Sequence, residues 1–176
     1  MTGFPLESAK VLPAPEGAPP ALACLVRDSD GTTYYAYRYK RCGLAVTIVL
    51  RDRRRNAILL VRRDIEPYRG MYSLPGGFIE TGTETLEEAA AREVWEETGV
   101  KIPLEALRLV DVRSETDRDP RDHVVDVGFV AELDSAEAVA GPETSGVLWA
   151  SAEEMETIPL AFDHLRLWHN AQGLLG

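Results

Sequence analysis

Hydrophobic positions along this chain follow two rhythms, and the change between them marks its elements. Residues 44–50 (LAVTIVL) and 57–61 (AILLV) are near-continuous apolar runs flanking the charged RDRRRN of 51–56. Their β-branched side chains suit a pleated surface, so they predict a hairpin with a solvated, charged tip. Residues 21–27 and 32–40 flank Asp28-Ser29-Asp30-Gly31 and predict a second hairpin. On its return strand Tyr35, Tyr37 and Tyr39 share a face. Three tyrosines so placed are more often core or cross-strand packing; a dimer surface or a platform for stacking a base are the other uses.

Farther along, 106–113 and 124–133 read as strands joined by SETDRDPRDH over 114–123, a connection too long and charged for a tight turn and suited to a functional loop. Residues 141–146 predict another loop and 147–149 a short strand. Ser151 to Glu154 predict a capped helix start, and 160–164 the opening of a final helix. Residues 11–20 (VLPAPEGAPP) are dense in Pro and Gly and predict an extended arm rather than a packed element. The chain thus divides into a flexible arm over 1–20, a hairpin over 21–42 and a single domain over 43–176.

The rhythm turns helical after Thr85. Thr85 stands three residues before Glu88, the spacing of a capping box, and the run to Thr98 contains neither Gly nor Pro. Gly99 then sits where a left-handed terminating residue belongs. At about 100° per residue, Glu93, Glu96 and Glu97 share an arc of roughly 100° in the last two turns, at the helix end that favours cations. Arg92 is at four-residue spacing from Glu88 and Glu96, while Glu97 has the like-charged Glu93 in that position. One arginine cannot neutralise the cluster. A solvated acidic face is the ordinary meaning of such a helix. The Gly-Gly turn ahead of it changes that meaning, because its backbone can come close enough for carbonyl and carboxylate oxygens to converge on a hard cation. All-oxygen donors select Mg²⁺ or Mn²⁺ over zinc.

The 176 residues and 45% hydrophobic content fit one α/β domain with a sizeable core. A formal net charge of −10 argues against a protein that grips nucleic acid through its backbone, and requires metal and local arginines before a polyphosphate can approach. Cys24 and Cys42 form neither a disulfide framework nor a paired zinc motif. With no apolar run of signal-peptide or membrane-span length, a cytoplasmic protein with a small-molecule partner is expected. Homodimerisation stays open through the tyrosine face.

The segment LPGGFIETGTETLEEAAAREVWEETGV over 74–100 resembles the Nudix box. That pattern is Gly, five residues, Glu, seven residues, then Arg-Glu-apolar-any-Glu-Glu-any-Gly-apolar. Arg92 to Val100 match every defined position, and seven residues lead back to Glu84. Six residues, one more than the pattern, separate Glu84 from Gly77, with the extra one within 81–83. The resemblance implies an α/β/α sandwich with a mixed β-sheet. It also implies Glu96 and Glu97 as principal metal ligands, Glu93 as further ligand or base, Arg92 and Glu84 as a bracing ion pair, and Gly77 offering its carbonyl to the metal. The approach over 62–73 would shape the pocket.

Arg118-Asp119-Pro120-Arg121 before His123-Val124-Val125, and the 160–164 stretch, resemble the branch of that family that handles ADP-ribose, though Asp122 stands where Gly is usual. This implies hydrolysis of a nucleoside diphosphate linked to another group, ADP-ribose first, to AMP and ribose 5-phosphate, with Arg118 and Arg121 binding substrate. Relatives often carry an acid three positions before the strand tryptophan, where this chain has Gly146; Glu143 as loop base, or Glu115, would substitute. His164 lacks a second metal-type ligand at helical spacing and reads as packed or capping. Other readings are a hydrolase of oxidised nucleoside triphosphates, an NADH pyrophosphatase and a non-hydrolysing ADP-ribose sensor. The second lacks its usual four-cysteine zinc site. The third usually carries a winged-helix domain, for which the chain after Gly173 is too short, and the intact glutamates favour catalysis.

Overall fold

The structure is a computed structural model that describes Lys10–Pro13, Glu16, Leu22–Arg27, Thr33–Tyr37 and Cys42–Gly176. These residues fall in two units, 1–41 and 42–176. The first is an antiparallel sheet in the order β1 (Lys10–Pro13), β2 (Leu22–Arg27), β3 (Thr33–Tyr37), with Lys10 opposite Arg27 and Leu25 opposite Tyr35. The expected hairpin is therefore present. The expected arm is not free over Lys10–Pro13, where the backbone pairs with β2 and Pro13, lacking an N–H, occupies the end of an edge strand. The turn at 28–31, Tyr39 and most of the remaining arm lie outside the described residues.

The second unit is built on a seven-stranded sheet. Its main path runs β10 (Thr144–Ala150), β5 (Ala57–Arg63), β4 (Gly43–Asp52), β9 (Val124–Leu133), β8 (Arg108–Arg113). The short strands β6 (Tyr72–Ser73) and β7 (Gly76–Phe78) add to β5 and β4. β4 and β9 are parallel from Gly43 opposite Val124 to Asp52 opposite Leu133, and the other pairs are antiparallel. A parallel pair needs a crossover, and the intervening chain supplies α1 (Leu86–Thr98).

Because strand side chains alternate, Val46, Ile48 and Leu50 pack under Ala89, Ala90 and Val94 of α1. Val49, Ile58, Leu60 and Val130 face the opposite way, onto Met155 of α2 (Ala152–Met155) and Leu167, Trp168 and Ala171 of α3 (His164–Ala171). This is the expected mixed-sheet α/β/α sandwich. Each fully buried aliphatic side chain contributes about 1.5–3 kcal/mol, which fixes the sheet as a platform for the loops at its edge. No helix among the described residues is long and apolar enough to cross a membrane.

Three local expectations are corrected. The arginines at the tip of the first hairpin of this unit are not merely solvated, because Arg51 and Arg53 pair with Glu132 and Arg55 with the buried Asp52 and with Glu137. Strand β10 begins at Thr144 rather than 147, because its pairing with β5 continues through a bulge to Arg63. The last helix begins at His164 rather than 160. Ala161 N–H donates to the Tyr72 carbonyl (2.8 Å), and Phe162 takes a left-handed φ of 54°, which a helix cannot include.

Candidate active site

α1 starts and stops on its local chemistry. Thr85 and Glu88 exchange side-chain and backbone bonds in a capping box, and Gly99 closes the helix at φ 68°. The loop ahead absorbs the extra residue in an exposed turn, where Thr83 donates to the Glu80 carbonyl and Glu80 N–H donates to Glu84. Glu84 still meets Arg92 through both oxygens, at 2.7 and 2.9 Å. That pairing holds the Glu84 carboxyl down at about 2. Arg92 also donates to Glu93 (2.8 Å), Glu96 (3.0 Å) and the Phe78 carbonyl (3.1 Å), so it binds the helix to β7. Glu88, the other acid within its reach, is occupied in the cap.

Glu97 is left to the glycines. Gly76 N–H donates to it at 3.0 Å, and a Cβ on Gly77 would stand 2.6 Å from the Glu93 carboxylate. Any other residue at 77 would force the Glu93 carboxylate to swing aside. Burial pushes Glu97 up to about 8, opposed by the Gly76 bond and reinforced by the negative charge of Glu93. Burial likewise raises Glu93 against the pull of Arg92.

The negative end of α1 is closed by the chain ahead of β10. Val139 N–H donates to the Thr98 carbonyl (2.9 Å), while Gly141 N–H (2.8 Å) and the Thr144 hydroxyl (3.2 Å) donate to that of Glu97. The last two carbonyls of the helix are thereby satisfied, and Glu143 is carried to the rim of the same cavity as Glu93 and Glu97.

That cavity, about 160 Å³, is lined on its acidic side by Gly77, Glu93, Glu97 and Glu143, and elsewhere by Arg63, Arg118, Arg121, Phe78 and Phe162. Six of the expected residues thus meet: Gly77, Glu93, Glu97, Glu143, Arg118 and Arg121. Glu96 lies outside, half-exposed, on an adjoining groove with Trp95, Val139 and Pro142. Glu115 is also elsewhere, paired with Arg166 at 2.6 Å.

The two expected substrate arginines are already engaged. Arg118 donates to Asp163 at 2.6 and 3.1 Å and lies 3.6 Å from Asp126, within a buried network that includes Arg113 and the Thr47 hydroxyl. Arg121 sends Nε and Nη2 to Asp119 (3.0 and 2.7 Å) and lies against the rings of Phe78 (4.8 Å) and Phe162 (5.5 Å). His164 is packed, as expected; its Nδ1 accepts from Leu74 N–H at 3.0 Å, anchoring the approach to the Gly-Gly turn.

The expected convergence of three glutamates is not met as the side chains lie. Glu93 and Glu96 turn to Arg92 and Glu97 to Gly76 N–H, and among the described residues no three acids or histidines meet at one point. The model of the NUDIX domain matches residues 42–170. The chain belongs to the Nudix family.

Within that family, the chain is 42% identical over 113 residues to the ADP-ribose pyrophosphatase of Methanocaldococcus jannaschii, covering 64% of this chain and 63% of that protein. It is 35% identical over 117 residues to the NAD-capped RNA hydrolase NudC of Salmonella heidelberg, covering 66% of this chain and 42% of that protein. The chain therefore spans less than two thirds of either relative. The NUDIX domain of Shewanella oneidensis NrtR, solved in complex with ADP ribose, superposes with a TM-score of 0.72 at 32% identity, over 78% of this chain and 91% of that one. The match begins at Cys42, so the Nudix domain coincides with the second unit.

The donor set suits the divalent cation of a Nudix site. Glu93, Glu97 and Glu143 face one cavity, Gly77 leaves room beside Glu93 that any Cβ would fill, and the imidazole that also lines it, His164, has its Nδ1 taken by Leu74 N–H.

Proposed function

We infer that this chain is a pyrophosphohydrolase acting on a nucleoside diphosphate linked to a second group, with ADP-ribose as preferred substrate and AMP and ribose 5-phosphate as products. The observation that carries this reading is a single cavity lined by three glutamates and three arginines, two of the arginines held by aspartates. A diphosphate is the group that needs both: cations to offset its charge and an acidic site to activate water against it.

Glu93, Glu96, Glu97 and the Gly77 carbonyl would hold Mg²⁺ or Mn²⁺, which when bound neutralises charge on the phosphoryl oxygens and makes a nearby water more acidic. Arg92 and Glu84 brace the helix that carries the acids. Glu143 reaches the cavity from a separate loop, so it is free of the Arg92 network and suited to take the proton of the attacking water; Glu93 and Glu97 are the alternatives. Water adds across the P–O–P bond, its oxygen to one phosphorus and its protons to base and leaving phosphate. Arg118 and Arg121 set the opposite wall.

A second reading has its own support, since the likeness to NudC favours other dinucleotides with the same diphosphate link. Hydrolysis of ADP-ribose, NADH and nucleoside triphosphates, with Mg²⁺ and Mn²⁺ and with products identified, separates these readings. The highest kcat/KM is expected for ADP-ribose. A preference for triphosphates or NADH would replace the substrate, and tight ADP-ribose binding without turnover would replace the enzyme by a sensor.

A further inference from the structure

Among the three arginines that line the cavity, Arg118 and Arg121 are paired with aspartates, and Arg63 is not. Arg63 closes β5, and its Nε donates to the Pro67 carbonyl at 2.7 Å. Its Nη2 is buried yet has no hydrogen-bond partner, and among the described residues Arg63 makes no ion pair. A buried, charged donor without a partner is destabilising, so its retention at a cavity calls for an acceptor from outside the chain.

The surroundings fix this group and repel it. Arg63 and Arg121 both lie against the ring of Phe162, at 5.0 and 5.5 Å from its centroid. Two guanidinium groups at one ring repel each other; burial first, and then the field of Arg121, lowers the proton affinity of Arg63 against the pull of Glu97. Asp119 offsets Arg121 but forms no bond with Arg63. Phe162 in turn is held by Tyr68, edge-on at 4.8 Å, and by the stacked ring of His164 at 5.4 Å. Both Phe162 and Tyr68 sit at left-handed φ, 54° and 65°. Such strained conformations persist where the surroundings over-determine them, commonly at ligand sites.

We propose that Arg63, with Arg121 beside it, forms an anion subsite that takes a phosphoryl group of the substrate's diphosphate through the unpartnered Nη2 edge. This rests on the pyrophosphohydrolase reading and names a substrate-binding residue for it. Arg121 already has two of its nitrogens on Asp119, so Arg63 supplies the freer donor. A phosphoryl oxygen there would satisfy the orphan N–H, separate the two like charges and stand across the cavity from Glu97.

The test uses the full chain, with Arg63→Met and Arg63→Lys. Both variants lose the bond to Pro67, and only the lysine keeps the charge. Inorganic pyrophosphate binding is measured calorimetrically in chelator, so that no cation contributes, and ADP-ribose kinetics are measured separately with Mg²⁺. Arg63→Met is expected to weaken pyrophosphate binding at least about tenfold and to raise KM more than it lowers kcat, with Arg63→Lys recovering most of both. Equal impairment of the two variants would reduce Arg63 to a support for the 67 loop. Unchanged binding by Arg63→Met, or no binding by the wild type, would equally overturn the subsite. A wild type that binds pyrophosphate through Arg63 but leaves ADP-ribose intact would keep the subsite and reject the hydrolase reading.

Discussion

Arg92 gathers the acidic helix at the scale of single residues, with Glu84, Glu93 and Glu96 on its nitrogens and Glu97 outside its reach. The acids are therefore not equivalent. Glu97, held by the Gly76 amide, is expected to be the least replaceable: Glu97→Gln should cut turnover at least about a hundredfold, with unchanged circular dichroism and an unchanged or higher melting temperature. Near-normal turnover at saturating Mg²⁺ would remove it from the reaction. Arg121→Ala is expected to narrow the preference for ADP-ribose over triphosphates by opening the Phe78–Phe162 wall, read as the ratio of the two kcat/KM values. A constant ratio would mean the wall takes no part in selection.

These residues differed in how far the sequence disclosed them. The capping box is legible from residue spacing and the close-approaching Gly-Gly turn from its absent Cβ, whereas the Glu84–Arg92 pair is legible only through the motif's resemblance to the Nudix box. Arg118 was legible as a charge in a functional loop but not as a partner of Asp163, 45 residues away. Arg63 was passed over because what distinguishes it is an unmade bond, visible only once Arg121 and Phe162 are brought beside it.

Among elements, α3 reaches the site through His164, whose neutral ring accepts from Leu74 N–H just ahead of the Gly-Gly turn. Burial and the charge of Arg113 lower its pKa from 6.5 to about 3. The unfolded chain takes up this proton first, so the stabilisation is fully present above pH 6.5 and is lost progressively as pH falls toward 3. At pH 5 the loss is about 2 kcal/mol. Urea unfolding at pH 7 and pH 5 should show this extra loss in the wild type and not in His164→Gln, whose carbonyl can accept the same bond. An identical pH response in both would assign the acid sensitivity elsewhere. The sequence identified a packed histidine but placed the helix start at 160, because the left-handed Phe162 that delays it is imposed by the Tyr72–Ala161 contact.

For the whole molecule, apolar runs rich in β-branched residues disclosed most strands, while the strand order did not follow from them. The parallel pairing of β4 with β9 joins runs that are each nearly continuously apolar, so neither face of either strand declares its neighbour. Both hydrophobic clusters lie wholly within 42–176. A protein beginning at Cys42 is therefore expected to unfold in one cooperative transition, checked by calorimetric and van't Hoff enthalpies that agree. A broad, non-cooperative melt would show that 1–41 is needed to complete the fold.

The closure of α1 by the 139–144 segment has a consequence for the order in which this molecule becomes competent. A polypeptide leaving the ribosome displays its whole signature motif once Val100 has emerged, yet the Val139 and Gly141 amides and the Thr144 hydroxyl that close the helix's last carbonyls arrive some forty residues later, Thr144 lying 47 positions beyond Glu97. Over that interval the motif is complete and the site is not. The acidic end of the helix is thus closed by the same late segment that delivers Glu143, so that possession of the signature and possession of the machinery are separate events in the life of each molecule.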